Sequence, residues 1–459
     1  MDPLNVIISY LREKDELQIA ENLLDVFRKD SHSLDQYDIL GKMYHDIKAY
    51  HKAIEITETA LTVCCSNYQY YSVRCNLIKL YNHTNEPKKA LRLIKANNSV
   101  NPDSIEMEME SAFSLYLLTR FSEAETLLRK LLERDGLTEK QRDKILFNLG
   151  SYDLARGDFK KGLSGFVKIG HKIGIWKKRD LPNEWDGKET GVTVAILENF
   201  GIGDSLVTVR FMKHLQELGV TPIWVTSRKD LHSMYNRNGF KCVQSLQEVR
   251  NIDPNFKYIE AMMIPVILDI EKESLGREPY ITPDPMKVAE WTGRLNLPKD
   301  KINIGIRWKG NTAYEHDLHR SFDVSALIKS IPEDFNIISL QRDDGAEDLR
   351  HSNVISNRPG IIELGYLGSD MKTLEDTLAI ISLLDIVVTS CTSIAHLAAV
   401  SGKEVIVLPP ISTYYTWLGR TDNKSDWYGD HVTVYTQDTW KSWDSVMAKV
   451  RDHLKNMSQ

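Results

Sequence analysis

The chain has 459 residues, with 58 Lys plus Arg against 64 Asp plus Glu, a formal net charge of −6 and 42% hydrophobic residues. At roughly 150 residues per domain this length suggests about three domains, with enough apolar material for their cores, which excludes a small disulfide-stapled module and a disordered tail. A mildly acidic balance offers no general field to a polyanion, so nucleic acid is disfavoured as a partner without being ruled out. The cysteines, Cys64, Cys65, Cys75, Cys242 and Cys391, are odd in number and show neither a C-x-x-C pair nor a paired metal spacing. They predict a reducing compartment, a cytoplasmic location and no structural zinc. The opening MDPLNVIISYLREKDE meets charge too early for a secretory signal, and no window approaches the ~20 apolar residues of a transmembrane segment.

The first 170 residues repeat. Ala20, Ala53, Ala90, Ala124 and Gly162 recur at spacings of 33, 37, 34 and 38. Around each stand two small or apolar residues thirteen and twelve before it, an apolar or aromatic residue nine before, and apolar residues four and seven after. The second copy reads Leu40, Gly41, Tyr44, Tyr50, Ala53, Thr57, Ala60, and the fourth Ser111, Ala112, Leu115, Phe121, Ala124, Leu128, Leu131. The fifth reads Leu149, Gly150, Asp153, Phe159, Gly162, Phe166, Ile169, and the first is a weaker, terminal copy. The small residue lets two antiparallel helices approach closely, and the larger ones fill the groove between successive pairs. This pattern resembles the tetratricopeptide repeat (TPR), with Asn97 and Asp153 departing from it.

The period stops at GHKIGIWKKRDLPNEWDGKETG, residues 170–191, which is charged and holds Pro182. The division expected is a helical domain over 1–170 with about five repeats, a linker over 171–191, a first α/β lobe over 192–298 and a second over 299–459. In the first lobe VTVAIL precedes GDSLVTVRFMKHLQELG, and TPIWVTS precedes KDLHSMYNRNG, the βαβα signature of a parallel sheet. After a stretch with Pro279, Pro283, Pro285 and Pro298, the second lobe has strands INIGIRW, FNIISLQ, IVVTS and EVIVLP, with DVSALIKSI, LEDTLAIISLL and SIAHLAAVSG as helices. Two such lobes hold a ligand in the crevice at the carboxyl ends of their strands.

Three loops in that position carry candidate chemistry. The first, Glu198 to Ser205, has Gly201 and Gly203 for a tight turn and close backbone approach, but lacks the third glycine of a dinucleotide fingerprint, which disfavours a nicotinamide cofactor. Asp204 there either accepts a proton from an acceptor hydroxyl or merely caps the helix. The helix dipole favours its ionised form, available but weakly basic. In the second loop, Lys309 and Arg320 are candidates to neutralise a diphosphate. In the third, Thr392 and Ser393 offer hydroxyl and backbone donors at a helix start, and His396 is either a donor-site residue or a core histidine. Asp343 and Asp344 read more simply as a polar turn than as a metal pair, so no metal site is expected.

Together these pieces resemble GT-B glycosyltransferases related to the bacterial ADP-heptose:LPS heptosyltransferase family, and the whole chain resembles such enzymes fused to tetratricopeptide repeats. The matching pieces are GIGDS at 201–205, IGIRWKGN at 304–311, HRS at 319–321, SLQ at 339–341, TSIAHLAAVSGK at 392–403, YYTWLGR at 414–420 and DWY at 426–428. The resemblance implies a TPR-like α-solenoid followed by a GT-B glycosyltransferase of two Rossmann-like lobes, an α plus α/β protein. It implies metal-independent, inverting transfer of a sugar from a nucleotide-diphosphate sugar, the donor substrate, with no cofactor. Asp204 matches the catalytic base; Lys309 and Arg320 match phosphate contacts; Thr392, Ser393 and His396 match the helix-start donor site. Gly203 and Asn311 fall in the matched motifs, and Gln341 lies near the nucleoside. Where heptosyltransferases carry an acidic residue that helps hold the donor sugar, this chain has Cys391, which disfavours heptose. The acceptor is a protein, a peptide or a saccharide held by the repeat face.

Two other classes fit the same residues. One is a TPR scaffold or adaptor whose lobes bind a nucleotide without turnover; the other is an enzyme that isomerises or hydrolyses a nucleotide sugar. Trp417, Trp427 and Tyr428 either stack on a base or pack in the core.

Overall fold

The computed structural model describes residues 3–14, 16–98, 101, 103–118, 120–175, 181–198, 200–311, 317–342, 345–352, 358, 360–364, 371–411, 413–417, 422–439 and 441–457. The chain divides into two compact units, Met1–Gly136 and Leu137–Gln459.

Among the described residues the first unit has four antiparallel helix pairs: Pro3–Glu13 with Leu17–Lys29, Leu34–Asp46 with Tyr50–Thr62, Asn67–His83 with Pro87–Asn98, and Ile105–Leu117 with Phe121–Leu132. The small residues of the repeat frame do what their size requires: Ala20, Ala53, Ala90 and Ala124 are each 0% exposed, where a larger side chain would force the pair apart. Ser33 and Ser66 start their helices with capping boxes closed by Gln36 and Gln69, satisfying two otherwise orphaned amides at each start. The departure at Asn97 is absorbed in the core, where its Nδ2 donates to the Tyr71 carbonyl at 3.4 Å.

The second unit opens with the fifth pair. Helix Glu139–Ala155, capped by a Thr138–Gln141 box, is followed by Phe159–Leu163, a π-helical turn Ser164–Lys168, and Ile169–Lys172. Its apolar face, Leu154, Phe159, Leu163 and Val167, shares one core with residues of both α/β lobes, Val194 and Trp427 among them. That shared burial is why this pair belongs to the unit of the lobes. The stretch expected as a linker is also partly built in: Trp185 is buried and its amide donates to the Tyr258 carbonyl at 2.8 Å.

Among the described residues ten strands form two sheets: β1 Thr193–Leu197, β2 Thr221–Val225, β3 Cys242–Val243, β4 Lys257–Glu260, β5 Asn303–Arg307, β6 Asn336–Ser339, β7 Ile362–Glu363, β8 Ile386–Ser390, β9 Val405–Leu408 and β10 Val432–Val434. The first sheet runs β3-β2-β1-β4 and the second β10-β9-β8-β5-β6-β7, with every strand pair parallel. Both are the helix-covered sheets that the buried β-branched runs predict. The proline-rich stretch leads into helix Pro285–Leu295, which packs on helix Leu374–Leu383 of the second lobe. Trp291 Nε1 donates to Asp376 there at 3.1 Å. Among the described residues no helix is long and apolar enough to cross a membrane.

Candidate active site

In both lobes the polar residues collect where strands end. The loop after β1 enters helix Ile202–Thr208, whose N-cap is Gly201 and whose third residue is Asp204. This helix packs directly on helix Ser393–Val400 of the second lobe. The contact depends on Gly203, because a Cβ there would lie 2.7 Å from Cδ2 of His396. Close backbone approach is therefore the role of Gly203, and what approaches it is the histidine ring.

Asp204 sits at this junction, half-buried. Tyr414 donates its hydroxyl to Asp204 Oδ1 at 2.6 Å. Burial pushes the carboxyl up to about 6, and the Tyr414 hydrogen bond and the Gly201 amide oppose the rise without cancelling it. Desolvation outweighs the helix-start field, so the carboxylate is a stronger base than its position alone predicts. The capping and cleft-facing roles coexist, since a third helical residue turned back on the N-cap is half of a capping box.

His396 is 5% exposed, shares a hydrogen bond of 2.7 Å with the Tyr428 hydroxyl through Nδ1, and lies 4.5 Å from the Trp417 ring. Burial, then the nearby Arg210 charge, push it down to about 3, so it is neutral at physiological pH. The structure places it in the junction core. Trp417, Trp427 and Tyr428 are buried with it.

At the end of β8, Ser390 and Thr392 are buried, and their hydroxyl oxygens have no hydrogen-bond partner among the described residues. Thr392 is the N-cap of helix Ser393–Val400 but makes no side-chain cap bond, so hydroxyl and helix-start amides remain together. Ser393, half-buried, begins that helix. Arg320 reaches the same loop, donating to the Cys391 carbonyl at 3.2 Å and to Asp317 at 2.8 Å. Burial pushes the Cys391 thiol up to about 11, so it presents a neutral group in that loop.

The other predicted residues are placed separately. Lys309 Nζ lies 3.5 Å from Asp348 on helix Ala346–His351, and the adjoining Gly310 packs against Arg320 and Asp317. Gln341, 1% exposed, accepts the backbone amides of Trp308 and Lys309 at 3.3 and 3.0 Å and donates to the Arg342 carbonyl at 3.1 Å, which braces the loop after β5. Asn311 is exposed. Asn199, His316, the pair Asp343–Asp344 and residues 418–420 of the YYTWLGR match lie outside the described residues. Among the described residues no group of three or more His, Cys, Asp or Glu side chains is placed to hold a metal ion.

Sequence reasoning passed over a cavity of about 630 Å³ in the first lobe, lined in part by Glu198, Gly201, Thr226, Arg228, Gln244 and Ser245. Glu198 and Arg228 form an ion pair on its wall, and Arg228 also donates to the Phe200 carbonyl at 2.9 Å. The signal was present, since each polar residue follows β1, β2 or β3 directly. The YYTWLGR motif contains Tyr414, and the sequence alone gives it no role.

A solenoid of helical repeats joined to two parallel α/β lobes, with the polar site at the strand ends, is a TPR-like α-solenoid followed by a GT-B fold. Neither a family model nor a curated protein matches the sequence. Solved structures are similar to its two portions. The C-terminal portion is similar to E. coli ADP-heptose LPS heptosyltransferase II, at 9% identity and TM-score 0.40 over 58% of this chain and 99% of that one. It is also similar to a glycosyl transferase family 9 protein of Veillonella parvula, at 12% identity and TM-score 0.41 over 59% and 93%. The N-terminal portion is similar to YrrB, described as a TPR protein with an unusual peptide-binding site, at 19% identity and TM-score 0.24 over 38% and 84%.

Proposed function

We propose that the two lobes transfer a sugar from a nucleotide-diphosphate sugar to a hydroxyl acceptor, without a resident metal and with inversion. The observation that carries this reading is the arrangement at the lobe junction. A carboxyl raised to about 6, Asp204, stands on a helix packed against the helix whose start holds the buried, unpartnered hydroxyls of Ser390 and Thr392. A base and an anion site on opposite sides of one reacting carbon are what displacement at an anomeric centre requires.

Asp204 takes the acceptor hydroxyl proton as the acceptor oxygen bonds to the anomeric carbon, and the bond from that carbon to the β-phosphate oxygen breaks. Negative charge then grows on the diphosphate, where the amides opening helix Ser393–Val400, the Thr392 hydroxyl and Arg320 stabilise it. Lys309 is a second phosphate contact, provided it exchanges Asp348 for the ligand. The first-lobe cavity, polar and ion-paired at Glu198 and Arg228, suits a hydroxylated acceptor beside the Gly201 turn. The neutral thiol of Cys391 favours a donor sugar that needs no carboxylate there.

Titrating UDP, GDP, ADP, CMP and dTDP by calorimetry into wild type and Lys309→Ala tests the donor site. Selective binding of one nucleotide, weakened in the variant, is expected. With that donor, Asp204→Asn should lose at least ~10²-fold in turnover with little change in donor affinity. Binding without transfer to any acceptor would leave a nucleotide-binding scaffold, and release of free sugar without an acceptor would indicate a hydrolase.

A further inference from the structure

The fifth repeat meets the candidate base through a short chain of contacts. Phe147, on helix Glu139–Ala155, stacks on Phe166 at 5.1 Å between ring centroids, with 19° between the planes. Phe166 meets Tyr415 at 5.5 Å and Tyr414 edge-on at 6.3 Å, and Tyr414 and Tyr415 are 4.4 Å apart. Tyr414 then donates to Asp204 Oδ1 at 2.6 Å.

The repeat is built for this approach. Phe166 lies in the π-helical turn Ser164–Lys168, where one extra residue per turn shifts the side chains that follow. The two helices close onto each other at Gly150 and Gly165, since a Cβ on Gly150 would stand 2.4 Å from the Phe166 nitrogen. Phe159, in the same helical stretch, packs 5.4 Å from Trp427.

We propose that Tyr414 is a positioning residue for Asp204, and that Phe166 of the fifth repeat holds the Tyr414 ring in place. The repeat pair 139–172 is thereby a structural part of the transfer site. This rests on the proposed transferase reading for its consequence in turnover, although the hydrogen bond itself can be tested without it.

Among the described residues the titratable groups around Asp204 include Tyr414, Tyr415, Tyr428 and His396, with Arg210 a fixed charge acting on the last three. Of these only Tyr414 is within a hydrogen bond of the carboxyl among the described residues. A hydroxyl donating to a carboxylate stabilises the ionised form, so removing it should raise the carboxyl midpoint and free the side chain to rotate.

The experiment is a pH titration of Asp204 by carbon NMR in full-length protein labelled at aspartate carboxyls, with the signal assigned by its loss in Asp204→Asn. Tyr414→Phe, which removes one oxygen and keeps the ring, should shift the midpoint upward by about one pH unit. Phe166→Ala should shift it in the same direction by less. In turnover, the acidic limb of kcat/KM should move with the NMR midpoint, and kcat should fall while the donor KM holds. An unchanged midpoint in Tyr414→Phe would overturn the proposal whatever the activity. A wild-type chain that transfers no sugar removes the transferase reading alone, and the NMR midpoint still decides the role of Tyr414.

Discussion

Asp204 is under two opposed influences, and their balance has a thermodynamic signature. The helix start and the Tyr414 hydroxyl favour the carboxylate, burial favours the acid, and burial wins, moving the midpoint from 3.8 to about 6. Below the unfolded midpoint the group is protonated in both states, and its contribution to stability is fully present. As pH rises through the folded midpoint, that contribution is lost, because the native state must hold a desolvated charge. That rise is worth at most about 3 kcal/mol, and partial solvent access reduces it to about 1–2 kcal/mol. Asp204→Asn should therefore melt higher than wild type near pH 7.5 and equally near pH 4. Equal offsets at both pH values in thermal melts would mean that the charge of Asp204 is not what destabilises the fold. His396 behaves oppositely: depressed to about 3, it stabilises the neutral core and loses that contribution as pH falls below its unfolded value of 6.5.

At the scale of elements, the fifth repeat obeys the same frame as the other four but has a different neighbour. Phe159, Leu163 and Val167 occupy positions that in a solenoid would serve packing within and between repeats, and here they enter the core shared with the lobes. Nothing in the frame distinguishes the two cases, because it records only which residues must be apolar and small. The Gly150 contact does, since its clash partners are backbone atoms of Phe166 and Gly165 that cannot rotate away. Gly150→Ala should thus cost at least ~2 kcal/mol, about 4 °C in the melting of the C-terminal unit. An unaltered melting temperature would mean that the helices slide apart freely, which would also loosen the hold on Phe166.

At the scale of the whole C-terminal unit, the lobes are tied by Arg210. Its side chain is buried, donating to the carbonyls of Val207 at 3.0 Å, Leu275 at 3.3 Å, Gly276 at 3.3 Å and Trp427 at 2.6 Å. The guanidinium also lies over the Tyr280 and Tyr428 rings, each 5.0 Å away. Arg210→Met would keep the volume and leave those carbonyls unpaired, at a cost of about 3 kcal/mol or more. The expected outcome in calorimetry is a fall of about 6 °C in the unit's transition. Unchanged melting would show that other contacts hold the lobes together.

The one-dimensional pattern by itself determined the helical pairs, the two parallel lobes and the loops in which polar residues gather at the strand ends. Small-residue periods, β-branched runs and the loops following them are local constraints that any fold of this chain must meet. Only the tertiary structure decided what meets in those loops. Asp204 and Tyr414 are 210 residues apart, Arg210 and Trp427 are 217 apart, and Gly203 faces His396 across the two lobes. The raised carboxyl, the neutral core histidine and the loop-bracing Gln341 are consequences of burial, which is a sum over neighbours from the whole unit and has no signature in the spacing of nearby residues.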